Sequence, residues 1–136
     1  MSCSLLFVNG QRMSASEFSL PASLRYPLQF CVGAYTLFIV WASLRPAGTG
    51  MAIQHLDKLV HFLVYAALAF GVSLAWSRLP KIRIFWLCAL FGAALEVAQG
   101  LLTAGRTASG WDAFANSFGA ALGVLVAIGL SRIFAR

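Results

Sequence analysis

Asp57, His61 and Tyr65 recur at four-residue intervals, so on a helix they form one polar edge. Glu96 and Gln99, three apart, share a face of a second helix, and Asp112 and Asn116, four apart, share a face of a third. Lys58 follows Asp57 directly, and Arg106 lies between Gln99 and Asp112. This set suits acid–base chemistry, with His61 as general base oriented by Asp57, Glu96 or Asp112 as the acid, and Arg106 stabilising developing negative charge. It equally suits binding without a reaction. Lys58, Arg106 and protonated His61 are partners for phosphate, and the carboxylates for sugar hydroxyls or an amine. A structural alternative stands beside each role: Asp57 and Asp112 as helix N-caps, Arg106 as counter-charge to Glu96 or Asp112, and Tyr65 as packing.

Scarcity sets these residues apart. Of 136 residues, 60% are hydrophobic and only 10% charged, against about 25% charged in a soluble domain. Four residues are acidic: Glu17, Asp57, Glu96 and Asp112. A carboxylate within a bilayer costs about 2.5–3.5 kcal/mol on insertion scales, so an intramembrane acid is a functional candidate by default. The net charge of +6 does not point to nucleic acid, because the ten Lys/Arg are scattered among apolar runs and form no basic stripe. Cys3, Cys31 and Cys88 show no metal or redox spacing. The reading therefore assigns no cofactor and no metal, with zinc or magnesium held by His61 and the carboxylates as the alternative.

The elements that must carry the polar groups are four apolar runs. They extend over Leu28–Leu44, about Leu59–Trp76, about Ile84–Leu102 and about Ala113–Ile133. Each approaches the roughly 20 residues that cross a hydrocarbon core as a helix, and none shows the polar face of a soluble bundle helix. Pro27 and Pro46 bracket the first run. The expected fold is an all-α, polytopic bundle of four transmembrane helices. Residues 1–27 form an N-terminal tail with room for a short interfacial helix, and residues 28–136 form the membrane domain. The N-terminus has no basic-then-apolar signal-peptide pattern, so the first span is read as its own uncleaved signal.

With four spans, the termini and the second loop share one side. That side holds Arg12, Arg25, Arg78, Lys81, Arg83, Arg132 and Arg136, against Arg45, Lys58 and Arg106 on the other. The positive-inside rule puts both termini in the cytoplasm. From the rise per residue, His61 lies about 3 Å, Asn116 about 5 Å and Glu96 about 9 Å inside the outer ends of their spans. Polar groups from three helices are thus expected at one level near the extracytoplasmic face. Gly92 and Gly100 flank Glu96, and Gly119 and Gly123 form a GxxxG pattern that favours close helix contact.

Two segments resemble the VanZ-like family of membrane proteins. Leu56–Phe70 resembles its D-K-x-x-H-F-x-x-Y signature, through Asp57, Lys58, His61, Phe62 and Tyr65. Ala94–Gly123 resembles its E-x-x-Q, G-R, D-x-x-x-N-x-x-G pattern, through Glu96, Gln99, Gly105, Arg106, Asp112, Asn116 and Gly119. The resemblance implies a compact helical protein of the bacterial cytoplasmic membrane and a link to the cell envelope, since the family takes its name from a glycopeptide-resistance protein. It carries over no catalytic residue. The reading favoured here is binding of an envelope lipid, lipid-linked glycan or lipoglycopeptide by an outward-facing pocket of Asp57, Lys58, His61, Tyr65, Glu96, Gln99, Arg106, Asp112 and Asn116. The alternatives are a lipid-directed hydrolase or transferase using His61, Asp57, Glu96 and Asp112, and a structural subunit of a membrane complex. Membrane lipids are the expected partners. A homodimer is an alternative to a monomer, because four thin spans enclose little space.

Overall fold

The computed structural model describes residues 7–8, 11–12, 21–45, 54–103 and 107–134. Four helices dominate: α1 (Ala22–Ser43), α2 (Gln54–Ala75), α3 (Lys81–Leu102) and α4 (Gly110–Phe134). Two pairs of residues near the N-terminus, β1 (Phe7–Val8) and β2 (Gln11–Arg12), make a minimal antiparallel ladder; the short interfacial helix expected in this tail is not formed by these four. At 22 residues each, α1, α2 and α3 are roughly 33 Å long, enough for a hydrocarbon core of about 30 Å. All four helices are long and apolar enough to cross a membrane.

The helices outrun the apolar stretches that announce them. α1 starts at Ala22, and the Leu24 and Arg25 amides bond the Pro21 carbonyl at 2.9 and 3.0 Å. Pro27 therefore lies inside the helix and does not precede it. It lacks the N–H that would reach Ser23, but so near the helix start the loss is confined to one bond. α3 likewise begins at Lys81, immediately after Pro80, so the basic residues Lys81 and Arg83 occupy its first turn.

Large apolar side chains cover the outside: Phe30 and Leu101 are each 79% exposed and Trp111 73%. Such a surface is stable only against lipid. The inside mixes small residues with larger ones such as Ile39, Leu68 and Leu95. Ala69, Ala75 and Ala120 are fully buried, together with Ile84 and Tyr65. α2 and α4 form the tightest pair, α3 packs on α4, and α1 rests mainly on α2. The reason for the tight pair is at Gly119 and Gly123. A Cβ on Gly119 would collide with the backbone carbonyl of Phe62, and one on Gly123 with that of Ala66. Only glycine lets these two backbones approach so closely, as in other small-residue crossings within membranes.

Candidate functional site

The starts of α2 and α4 meet, and their polar residues pair across the seam. The Lys58 ammonium lies 2.9 Å from Asp112 Oδ1. One turn deeper, His61 Nδ1 lies 3.1 Å from Asn116 Oδ1. With that oxygen as acceptor, the ring donates from Nδ1. Nε2 points toward Asp57, whose Oδ1 is 3.9 Å away, one helical turn earlier on α2. Two rungs thus link α2 to α4, the ion pair near the end of the bundle and the imidazole–amide pair beneath it.

Burial grades inward. The Asp57 and Lys58 side chains are 48% and 41% exposed, against 15% for His61 and 10% for Asp112. Asn116, Glu96, Gln99 and Tyr65 are buried. Tyr65 closes the floor, with its ring against Phe91. Gly92 makes the room, since a Cβ there would lie 2.9 Å from both Tyr65 Cε1 and Asn116 Cβ.

Glu96 does something different from its neighbours. Its Oε1 accepts the Ser109 backbone N–H at 2.7 Å. Ser109 precedes α4, and its own Oγ and carbonyl accept the Asp112 N–H at 3.4 and 3.1 Å. Asp57 and Asp112 lie in the first turns of α2 and α4, so neither is the N-cap; Ser109 caps α4. A buried carboxylate beside that helix start compensates otherwise unpaired amides and the positive end of the helix dipole. Glu96 therefore anchors the α3–α4 connection. Ser109, absent from the residues singled out above, does carry a sequence signal: Ser109, Gly110, Trp111 and Asp112 fit the S-x-x-D start of a helix.

Of the nine residues expected at the site, five meet directly across the α2–α4 seam: Asp57, Lys58, His61, Asp112 and Asn116. Tyr65, Glu96 and Gln99 lie buried on the same half of the bundle. Arg106 lies outside the described residues. Asp57, His61 and Asp112 each offer one ligand atom, all within 4.8 Å of one another. A neutral His61 that donates from Nδ1 to Asn116 would present Nε2 to a metal. The Lys58 ammonium already supplies the positive charge at Asp112, however, so a divalent cation enters only if Lys58 swings away.

No curated protein and no solved structure matches the chain. The family model for VanZ/LLP1 matches residues 5–134. Both signatures fall within that match, and the residues that meet across the seam are theirs: Asp57, Lys58 and His61 from the first, Asp112 and Asn116 from the second. This four-helix protein belongs to the VanZ/LLP1 family.

Proposed function

We propose that the protein is a multi-pass protein of the bacterial cytoplasmic membrane, with both termini cytoplasmic, that binds the polar head of a lipid-linked envelope glycan at the α2–α4 seam. The graded burial of the polar residues carries this reading. Asp57 and Lys58 form an open rim above a layer whose hydrogen bonds are made within the protein. A self-sufficient inner layer holds the rim rigid, and the rim keeps free valences. Lys58 spends one of its three donors on Asp112, leaving two for a phosphate oxygen. The Asp57 carboxylate accepts sugar hydroxyls, and His61 Nε2 lies behind both as a further acceptor. The surrounding apolar surface holds the lipid tail. A monomer suffices for this site.

The test is retention of a radiolabelled polyprenyl-diphosphate sugar by the purified protein in detergent, compared with phosphatidylglycerol. Preferential retention of the glycan lipid is expected. Asp57→Asn and Lys58→Gln should each weaken it about ten-fold, the loss of one charge-assisted contact, with thermal melting nearly unchanged. Equal retention of both lipids, or variants that bind like the wild type, would refute the proposal.

One observation favours a second reading. Asn116 orients the His61 ring through Nδ1, which leaves Nε2 at the rim, 3.9 Å from Asp57, where it can take up a proton as a general base and the neighbouring carboxylate would stabilise the imidazolium formed. If the retained lipid is recovered hydrolysed or with its sugar transferred, the site is catalytic, and His61→Gln should abolish conversion while retaining the lipid.

A further inference from the structure

The opposite end of the bundle carries a second, unrelated feature. An apolar groove of about 550 Å³ runs between α1 and α3, over α2 and the α2–α3 turn. Val32 and Gly33 from α1, Leu68 and Val72 from α2, and Leu87 and Phe91 from α3 are among the residues that line it. Leu37 and Leu87, both exposed, stand at its mouth, so it opens sideways onto the surface that faces lipid. It offers almost no free polar group. Thr36 spends its hydroxyl on the Val32 carbonyl at 2.8 Å. Water gains nothing there, and a hydrocarbon chain replaces it without cost.

The groove ends beside a concentration of positive charge. Arg25 lies seven residues before Val32 on the same face of α1, roughly 10 Å along the axis. Arg78 lies in the turn between Trp76 and Leu79, two residues of the groove lining. Lys81 and Arg83 follow in the first turn of α3. Gln29 bonds the Ala75 carbonyl at 3.2 Å and ties this part of α1 to the end of α2. Asp57, Glu96 and Asp112 belong to the other half of the molecule, and among the described residues no carboxylate pairs with any of these four cations. Lys81 reaches the Ser73 carbonyl at 2.8 Å. Arg25 Nε is buried with no acceptor among the described residues. Arg25 also lies over the Tyr26 ring, 5.2 Å from its centroid. An apolar slot between transmembrane helices, with cations at its headgroup end that no described carboxylate neutralises, matches a phospholipid carrying net negative charge.

We propose that this groove binds one acyl chain of an anionic phospholipid, whose phosphate is held by Arg25 and Arg78. The lipid comes from the leaflet on the side of the α2–α3 turn. It fills the gap where α1 stands away from α3 and fastens α1 to the bundle. The inference is independent of the glycan-lipid site on α2 and α4.

Gly33 provides a clean test, because a Cβ there meets nothing within 4 Å. Gly33→Leu should fill the groove without disturbing the protein. Gly129, equally unencumbered on α4, gives the matching control Gly129→Leu. The full-length chain would be loaded in detergent with phosphatidylglycerol or phosphatidylcholine of identical acyl chains, and bound lipid counted by native mass spectrometry. The wild type and Gly129→Leu should retain one phosphatidylglycerol per chain in preference to phosphatidylcholine. Gly33→Leu should retain neither, with helicity and lipid-free melting unchanged and without the rise in melting that phosphatidylglycerol gives the wild type. Arg25→Gln and Arg78→Gln should each cut the preference for phosphatidylglycerol about five-fold and leave phosphatidylcholine retention as it was. Undiminished retention by Gly33→Leu overturns the proposal. So does a groove occupied by a second copy of the chain, seen as a lipid-free dimer that Gly33→Leu dissociates.

Discussion

The α2–α4 seam and the α1 flank use the same apolar residue types to opposite ends. At the seam, glycines bring two backbones into contact, and the polar residues of both helices pair at one end. At the flank, α1 leans on α2 through side-chain tips and stands off α3 across an apolar groove. Its cross-helix hydrogen bonds run from Gln29 to the Ala75 carbonyl and from Tyr35 to the Val64 carbonyl at 3.2 Å. The difference follows from the solvent. Lipid is as apolar as leucine, so burying another leucine gains little within a bilayer. Close backbone approach and hydrogen bonding are what hold helices together. Each region has two such hydrogen bonds, but only the seam adds close backbone approach, so the seam is the rigid part of the molecule and the flank the yielding part.

The most severe way to break this contrast is one methyl group at the seam. Gly119→Ala drives a Cβ into the Phe62 backbone carbonyl, and a carbonyl in a helix cannot step aside without moving the helix. The expected loss is about 3 kcal/mol or more, at the upper end of overpacking costs, seen as a collapse of the thermal transition in detergent. Gly129→Leu, on the same helix but in open space, should melt like the wild type.

Removing the anchor of the α3–α4 connection comes next. Glu96→Ala leaves the Ser109 N–H without its acceptor and should cost about 2 kcal/mol. Glu96→Gln keeps an oxygen at that position and should recover about half. Hydrogen exchange at the Ser109 amide separates the two, being fast in Glu96→Ala and protected in Glu96→Gln. The ion pair follows. Lys58 is 41% exposed, so solvent screens its bond to Asp112. A double-mutant cycle of Lys58→Met with Asp112→Asn should give a coupling of only about 0.5–1 kcal/mol. A coupling above about 2 kcal/mol would make this pair a main fastening of the seam and not the open rim of a binding site.

How legible was this in the sequence? The four spans were, because 60% apolar composition with runs near 20 residues leaves few other folds. The shared level of Asp57, His61, Asp112 and Asn116 was legible too, since helical rise converts spacing into depth. Pairings were not. Which of Lys58, His61 or Arg106 would meet Asp112 depends on the rotation of each helix about its axis, and spacing within one helix does not fix that against another. The partner of Glu96 is hidden for a related reason. The depth of Glu96 marked it as special, but its partner is a backbone N–H, and a main-chain donor leaves no signature in residue type. The GxxxG at Gly119 and Gly123 announced a close contact without naming α2 as the partner. The groove beside α1 is invisible there, since it exists only because α1 and α3 meet along a small part of their length.

The smallest effect gives the sharpest comparison. Gly71→Ala adds to α2, facing α1, the same methyl that Gly119→Ala adds to α4, facing α2. At Gly71 the nearest atom is Val32 Cγ2 at 3.1 Å, the tip of a side chain. Val32 can rotate, and α1 can ease away across the groove, so the strain is small. Alanine also favours a helix interior over glycine by about 1 kcal/mol, which opposes what strain remains. Melting within about 2 °C of the wild type is therefore expected, a shift of under 1 kcal/mol for a chain of this size. If Gly71→Ala were instead as damaging as Gly119→Ala, α1 would be held as firmly as α4, because only a neighbour unable to move turns one methyl group into a loss of fold.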